Sequence, residues 1–144
     1  MKDTTREPGP ILWLEDHPKR FRAHATRIEK ETGRVVRFAR SVEEAEAALA
    51  EEAFDLLIVD IILDQSHPDE GERREAGLRF AERSVEARGW TDPNAPVLLF
   101  FTGVIDHHRV QRMKALPRSR ILYKPAHMDR LLEAVLDALG YGDA

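Results

Sequence analysis

Cysteine is absent from this 144-residue chain, which excludes disulfide frameworks, thiol nucleophiles and thiolate metal sites together. Long hydrophobic runs are missing too: none approaches the roughly 20 residues needed to span a bilayer. Met1–Pro10 is polar and lacks the apolar stretch of a secretory leader. Nor is there an excess of positive charge. Lys and Arg number 22 against 26 Asp and Glu, a formal net charge of −4, which argues against a general nucleic-acid binder. What is present is a chain of 42% apolar and 33% charged residues, long enough to bury about 68–70% of its unfolded surface without a covalent staple. The expectation is one compact, soluble, cytoplasmic domain over 10–142, after a polar lead-in over 1–9; Met1–Pro10 holds two prolines and a glycine.

Apolar runs and amphipathic stretches alternate along the chain. Ile11-Leu12-Trp13-Leu14 is too short for a helix and suits a strand buried on both faces. Pro18 opens a helix with Phe21, Ala25 and Ile28 on one stripe, ended by Gly33. Val35–Ala39 reads as a second strand, and Ser41 with Glu44 forms a capping box for a helix burying Ala45, Ala48 and Leu49. Phe54–Asp60, Ala95–Thr102 and Arg120–Pro125 supply strands three to five. Helices are expected over Gly77–Arg88, about Asp106–Leu116 and about Met128–Leu139. Five βα units of this kind predict a parallel sheet covered on both faces, with right-handed crossovers.

Ligands of such a sheet sit beyond the carboxyl ends of its strands. Those ends carry Glu15-Asp16, Asp60, Thr102-Gly103 and Lys124-Pro125. Three carboxylates gathered at one edge repel one another unless a cation joins them. An all-oxygen acidic cluster suits a hard ion such as Mg²⁺, and a lysine with a hydroxyl nearby can hold phosphoryl oxygens.

In these motifs the sequence resembles the receiver domain of bacterial two-component response regulators, a family whose chemotaxis members are themselves an example of the strand-end rule. The resemblance rests on Ile11–Asp16, Phe54–Asp60, Leu99–Gly103 and Ile121–Pro125, in that order and each at a strand end. It implies a flavodoxin-like (βα)5 sandwich with a five-stranded parallel sheet of order 2-1-3-4-5. It implies that Asp60 accepts a phosphoryl group from a histidine kinase or phosphotransfer protein. Asp16, Asp60 and the backbone carbonyl of Ile62 would bind Mg²⁺ directly, and Glu15 through a metal-bound water. Lys124 would pair with the phosphoryl oxygens and Thr102 would hydrogen-bond one of them after transfer. Pro125 stands where the family's Lys–Pro peptide is typically cis. Such a domain catalyses its own phosphorylation and slow hydrolysis, and signals by altered binding of a downstream protein partner. Its usual signalling face is the fourth helix, fifth strand and fifth helix, which can also form a homodimer. No contact with nucleic acid or membrane is implied; the sequence stops at Ala144, so output is expected to pass through a partner or by phosphotransfer to another protein, unless the chain is a piece of a longer one.

Two departures bear on that reading. Ile121 stands where the family has its switch aromatic, and Tyr123, on the other side of the two-residue period, is expected to pack. The family's glycine after the phosphoacceptor is met only at Gly77, behind a charged insertion over about 64–76 in which Asp64 replaces a common proline. That stretch reads as a solvated loop or helix extension; the sharper alternative is a cover that selects partners. His107-His108 point in different directions on a helix and suit no single metal; His17 reads as a loop residue beside the metal's outer shell. Two other functions fit the fold. One is a receiver-like interaction module working without phosphorylation. The other is an aspartyl phosphatase of the haloacid dehalogenase type, which lacks its second acid because Ile62 occupies that position.

Overall fold

The computed structural model describes residues 8–64, 68–104 and 106–141. Apart from Pro8 and Gly9, the expected lead-in lies outside them, as do 65–67 of the insertion and the last residue of the expected domain, Gly142. Five strands, β1 (Ile11–Leu14), β2 (Val36–Ala39), β3 (Leu56–Val59), β4 (Val97–Thr102) and β5 (Ser119–Tyr123), form one sheet. All pairings are parallel and the order is β2-β1-β3-β4-β5. This is the expected doubly wound, flavodoxin-like arrangement. Every residue of β1, β3 and β4 is buried, because the central strands are covered on both faces and carry continuous apolar runs.

The helices are α1 (Arg22–Thr32), α2 (Val42–Glu51), α3 (Glu70–Arg88), α4 (His107–Ala115) and α5 (Met128–Ala138). Alternation along the strands divides the core in two. Leu12, Leu14, Leu57, Val59, Leu98 and Phe100 face a layer with Ala45 and Ala48 of α2, Leu78 and Phe80 of α3 and Met113 of α4. Ile11, Trp13, Ile58, Leu99 and Phe101 face Ala25 and Ile28 of α1 and Leu131, Leu132 and Val135 of α5. Trp13 is fully buried, with ring centres of Phe21 and Phe38 at 5.3 and 5.1 Å.

Local chemistry sets the helix ends. Pro18 begins a 3-10 turn, Pro18–Phe21, that leads into α1, and Gly33 closes α1 in the left-handed region at φ 69°. The Ser41 hydroxyl accepts from the Glu44 backbone N–H, and Glu44 in return accepts from the N–H of Arg40.

The third helix begins seven residues before Gly77, at Glu70. Most of the expected insertion, Glu70–Ala76, is therefore its first two turns. This segment lacks a buried apolar stripe and is helical for local reasons. The Asp69 side chain caps it by accepting from Glu72 N–H, and Glu70–Arg74 and Glu75–Arg79 pair at i,i+4. Tyr123 corrects another expectation: it does not pack but stands 42% exposed. It lies at the carboxyl end of an edge strand, with no further strand beyond it.

Gly77 sits where α3 crosses the start of the β3–α3 loop. Its N–H donates to the Ile61 carbonyl at 3.0 Å, and a Cβ built there would lie 2.0 Å from the Asp60 carbonyl oxygen and 2.8 Å from Ile61 Cα. Backbone on one side and helix on the other leave no direction for relief. Gly77→Ala is expected to lower stability by about 3 kcal/mol or more, read as a lower midpoint in urea denaturation; an unchanged midpoint would show that α3 does not press on this loop.

At the amino ends of the strands, Arg34 is buried and gathers three partners. Its guanidinium donates to the Asp55 carboxylate, to the Gly9 carbonyl at 2.7 Å and to the Tyr141 hydroxyl at 3.1 Å, while the Gly9 N–H donates to Asp55 at 2.8 Å. Removing one member of a buried pair leaves the other charge desolvated. Arg34→Ala should cost about 3–5 kcal/mol by the same denaturation assay, and Arg34→Lys should recover only part, because an ammonium cannot reproduce the forked contacts.

Candidate functional site

Glu15 and Asp16 follow β1, and Asp60 follows β3 directly. The register that pairs Leu14 with Val59, together with the bond from Asp60 N–H to the Leu14 carbonyl, sets these carboxylates side by side. Glu15, Asp16 and Asp60 each offer an oxygen within 4.8 Å of the others. Lys124, just after β5, completes the group. Its Nζ lies 3.1 Å from Asp60 Oδ2 and 3.4 Å from Glu15 Oε1. The Lys124 N–H donates to the Thr102 carbonyl, and the following Lys124–Pro125 peptide is cis.

Thr102, the last residue of β4, is fully buried, and its hydroxyl oxygen accepts from the Val104 N–H at 3.1 Å. The Ile62 N–H donates to Asp60 Oδ1 at 3.2 Å. The structure thus brings together Glu15, Asp16, Asp60 and Lys124, with Ile62 bonded to Asp60 through its N–H and Thr102 on the neighbouring strand end.

Burial dominates the electrostatics of Asp60. It disfavours the ionised form; Lys124 opposes it and Glu15 adds to it, and the balance pushes the carboxyl from 3.8 up to about 6. Asp16 shows the same tension differently. Its Oδ2 is buried and makes no hydrogen bond among the described residues, an acceptor whose desolvation is uncompensated unless a ligand meets it. Three oxygens converging beside an orphaned acceptor are a donor set suited to a hard divalent cation.

Several contacts at this edge carry no sequence signal. The Lys124 ammonium sits 5.0 and 5.1 Å from the ring centres of Phe21 and Phe101, which fix its position on the apolar side. Behind the site, Glu75 of α3 binds Arg109 and Arg112 of α4 at 3.1 and 3.0 Å, and Arg112 also binds Glu82 at 2.6 Å. Burial acts to raise the Glu75 carboxyl, but the hydrogen bonds from Arg112 and Arg79 outweigh it and hold the group below its usual range. His107 and His108 begin α4, and neither belongs to a group of potential metal ligands among the described residues. His17 differs: it lies beside Asp16.

The raised Asp60 carboxyl fixes a pH dependence. A carboxyl harder to ionise in the fold than in the unfolded chain leaves the fold unpenalised below pH 3.8 and costs stability as pH rises through about 6. Asp60→Asn removes that cost. In metal-free buffer at pH 7 it should raise stability by up to about 3 kcal/mol, and the difference should vanish below pH 4. A variant that melts no higher than the parent at pH 7 would contradict the burial argument.

No family model matches the sequence, and no curated protein matches it. Solved structures do. A CheY-like response regulator receiver domain from Methanospirillum hungatei JF-1 superposes with a TM-score of 0.70 at 20% identity, covering 94% of this chain and 96% of that one. A response regulator from Thermotoga maritima gives 0.69 at 21% identity, over 93% and 99%. The receiver domain of NtrX from Brucella abortus gives 0.68 at 22% identity, over 90% and 98%. Superposition over nine-tenths of the chain at such identities speaks for architecture, so the chain has the fold of the response regulator receiver domains.

Proposed function

We propose that the domain over 10–142 is a receiver that takes a phosphoryl group on Asp60 in a Mg²⁺-dependent reaction and signals through altered protein binding. The observation that carries this reading is the contact of Lys124 Nζ with Asp60 at 3.1 Å, inside a ring of three carboxylates at the carboxyl edge. Asp60 is the nucleophile. At neutral pH most of it is ionised despite its raised pKa, so no general base is required. One carboxylate oxygen forms a bond to phosphorus as the bond from phosphorus to the donor's imidazole nitrogen breaks, and the electron pair leaves with that nitrogen.

Lys124 is held between Asp60 and Glu15, where its charge meets the phosphoryl oxygens once they arrive. Thr102 offers a hydroxyl whose proton is free to turn toward a phosphoryl oxygen while its oxygen keeps the Val104 N–H. Asp16, Asp60 and the Ile62 carbonyl would hold Mg²⁺, with Glu15 acting through a water; the unpartnered Asp16 Oδ2 supports that assignment. When bound, the ion neutralises charge between the carboxylate and the incoming phosphoryl group. A histidine kinase or phosphotransfer protein would be the donor, and a downstream protein the reader. Among the described residues no helix is long and apolar enough to cross a membrane, which is consistent with a cytoplasmic site of action.

A second reading, a receiver-like interaction module that works without phosphorylation, draws on Ile121. It occupies the place of the family's switch aromatic and packs against the α2–α3–α4 side of the core. One experiment separates the two. Incubation with acetyl phosphate and Mg²⁺ should add one phosphoryl group to the intact mass, the gain should disappear in Asp60→Ala, and Lys124→Ala should slow it. No gain in the parent protein would favour the module.

A further inference from the structure

A histidine stands beside the carboxylate cluster, and the phosphoacceptor reading gives it no role. His17 follows β1, and its Nε2 lies 3.9 Å from Asp16 Oδ1 and 3.5 Å from Asp64 Oδ2. Asp16, His17 and Asp64 each present a ligand atom within 4.8 Å of the others, one imidazole nitrogen and two carboxylate oxygens. The His17 N–H donates to Glu15 Oε2 at 2.9 Å, which fixes the backbone from which the imidazole projects.

Asp16 belongs to both groups of converging ligand atoms. Its side chain is only 6% exposed, its Oδ1 lies toward His17, and its Oδ2 is buried without a hydrogen bond among the described residues. A carboxylate has two oxygens and can serve two neighbouring cations, and each group supplies further donors. The donor types differ between the sides. Glu15, Asp16 and Asp60 are all oxygen and suit a hard ion. The imidazole of His17 favours a borderline ion of the zinc type, which takes nitrogen and carboxylate ligands together and is satisfied by three protein ligands with water in the fourth position.

Open space adjoins two of the three ligands. A cavity of about 230 Å³ opens beside Asp16 and His17, with Lys19, Arg20 and Arg40 on its walls. Those three bases are exposed, so solvent and salt screen their charge, whereas the two carboxylates are in reach of the imidazole.

We propose that His17, Asp16 and Asp64 form a second cation site, which takes a borderline divalent ion such as Zn²⁺ and ties the loop after β1 to the loop after β3. The site stands whether or not Asp60 is phosphorylated. Because Asp16 is common to both donor sets, an ion at one alters the affinity of the other, and the effect is reciprocal.

Calorimetric titration with Zn²⁺ alone tests the site directly. The parent protein should bind Zn²⁺, and His17→Ala and Asp64→Ala should each weaken that event by roughly tenfold or more. Asp60→Asn, which leaves all three proposed ligands intact, should keep it. Asp64 is 66% exposed, so its variant tests ligation without threatening the fold, and the His17 ring resonances should shift on Zn²⁺ addition in the parent protein. Zn²⁺ binding that is unchanged in His17→Ala, or no binding by the parent protein, would overturn the proposal. Either result leaves the acetyl phosphate experiment on Asp60 unaffected.

Discussion

Parallel strands that end at one edge concentrate whatever charge their last residues carry, and in this molecule everything at that edge depends on how Asp60 is held. A carboxylate at the end of a fully buried strand loses water on most sides. Lys124 returns part of what burial removes, and does so from a fixed place because Phe21 and Phe101 support its ammonium. The nearby Glu15 works in the opposite direction. The result is a group of charges left unbalanced in the bare protein: three carboxylates, one ammonium and a buried oxygen on Asp16 with nothing to bond. Such a cluster is strained toward ligands, since either a cation or a transferred group relieves the repulsion.

The helices around it have little slack. Gly77 places α3 against the Asp60 carbonyl, so the backbone of the site and the helix are one packed unit. Two residues upstream, Glu75 reaches across to Arg109 and Arg112 of α4, and Glu82 binds Arg112 as well. A displacement of the loop after Asp60 therefore has a direct route to α4 through rigid contacts. Charged contacts between α3 and α4 thus connect the site to the surface.

Where a burial rule was strong, the sequence was legible. The runs Ile11–Leu14, Phe54–Asp60 and Ala95–Thr102 suited strands covered on both faces, and β1, β3 and β4 lie within them; the strand order followed from the family resemblance. The acidic strand ends located Glu15, Asp16 and Asp60, and the Lys124–Pro125 motif located the ammonium. What escaped was held by other forces. Glu70–Ala76 forms helix through a cap and i,i+4 pairs, which leave no apolar period to read. Tyr123 was expected to pack because alternation gives the side of a strand but not whether a helix covers that side at the sheet's edge. The contacts of Glu75 with α4, and of Lys124 with two rings, join residues far apart in sequence whose pairing only the fold decides.

Arg34 holds Gly9 through its carbonyl and Tyr141 through its hydroxyl, so both ends of the described chain meet at one guanidinium, at the pole where the strands begin. The acidic cluster occupies the other pole, a full strand length away. Gly9 and Tyr141 brought this close make the topology of the described residues nearly circular. A short peptide joining them would close the backbone without crossing the carboxyl edge, and the order in which the five βα units are synthesised would become a free variable.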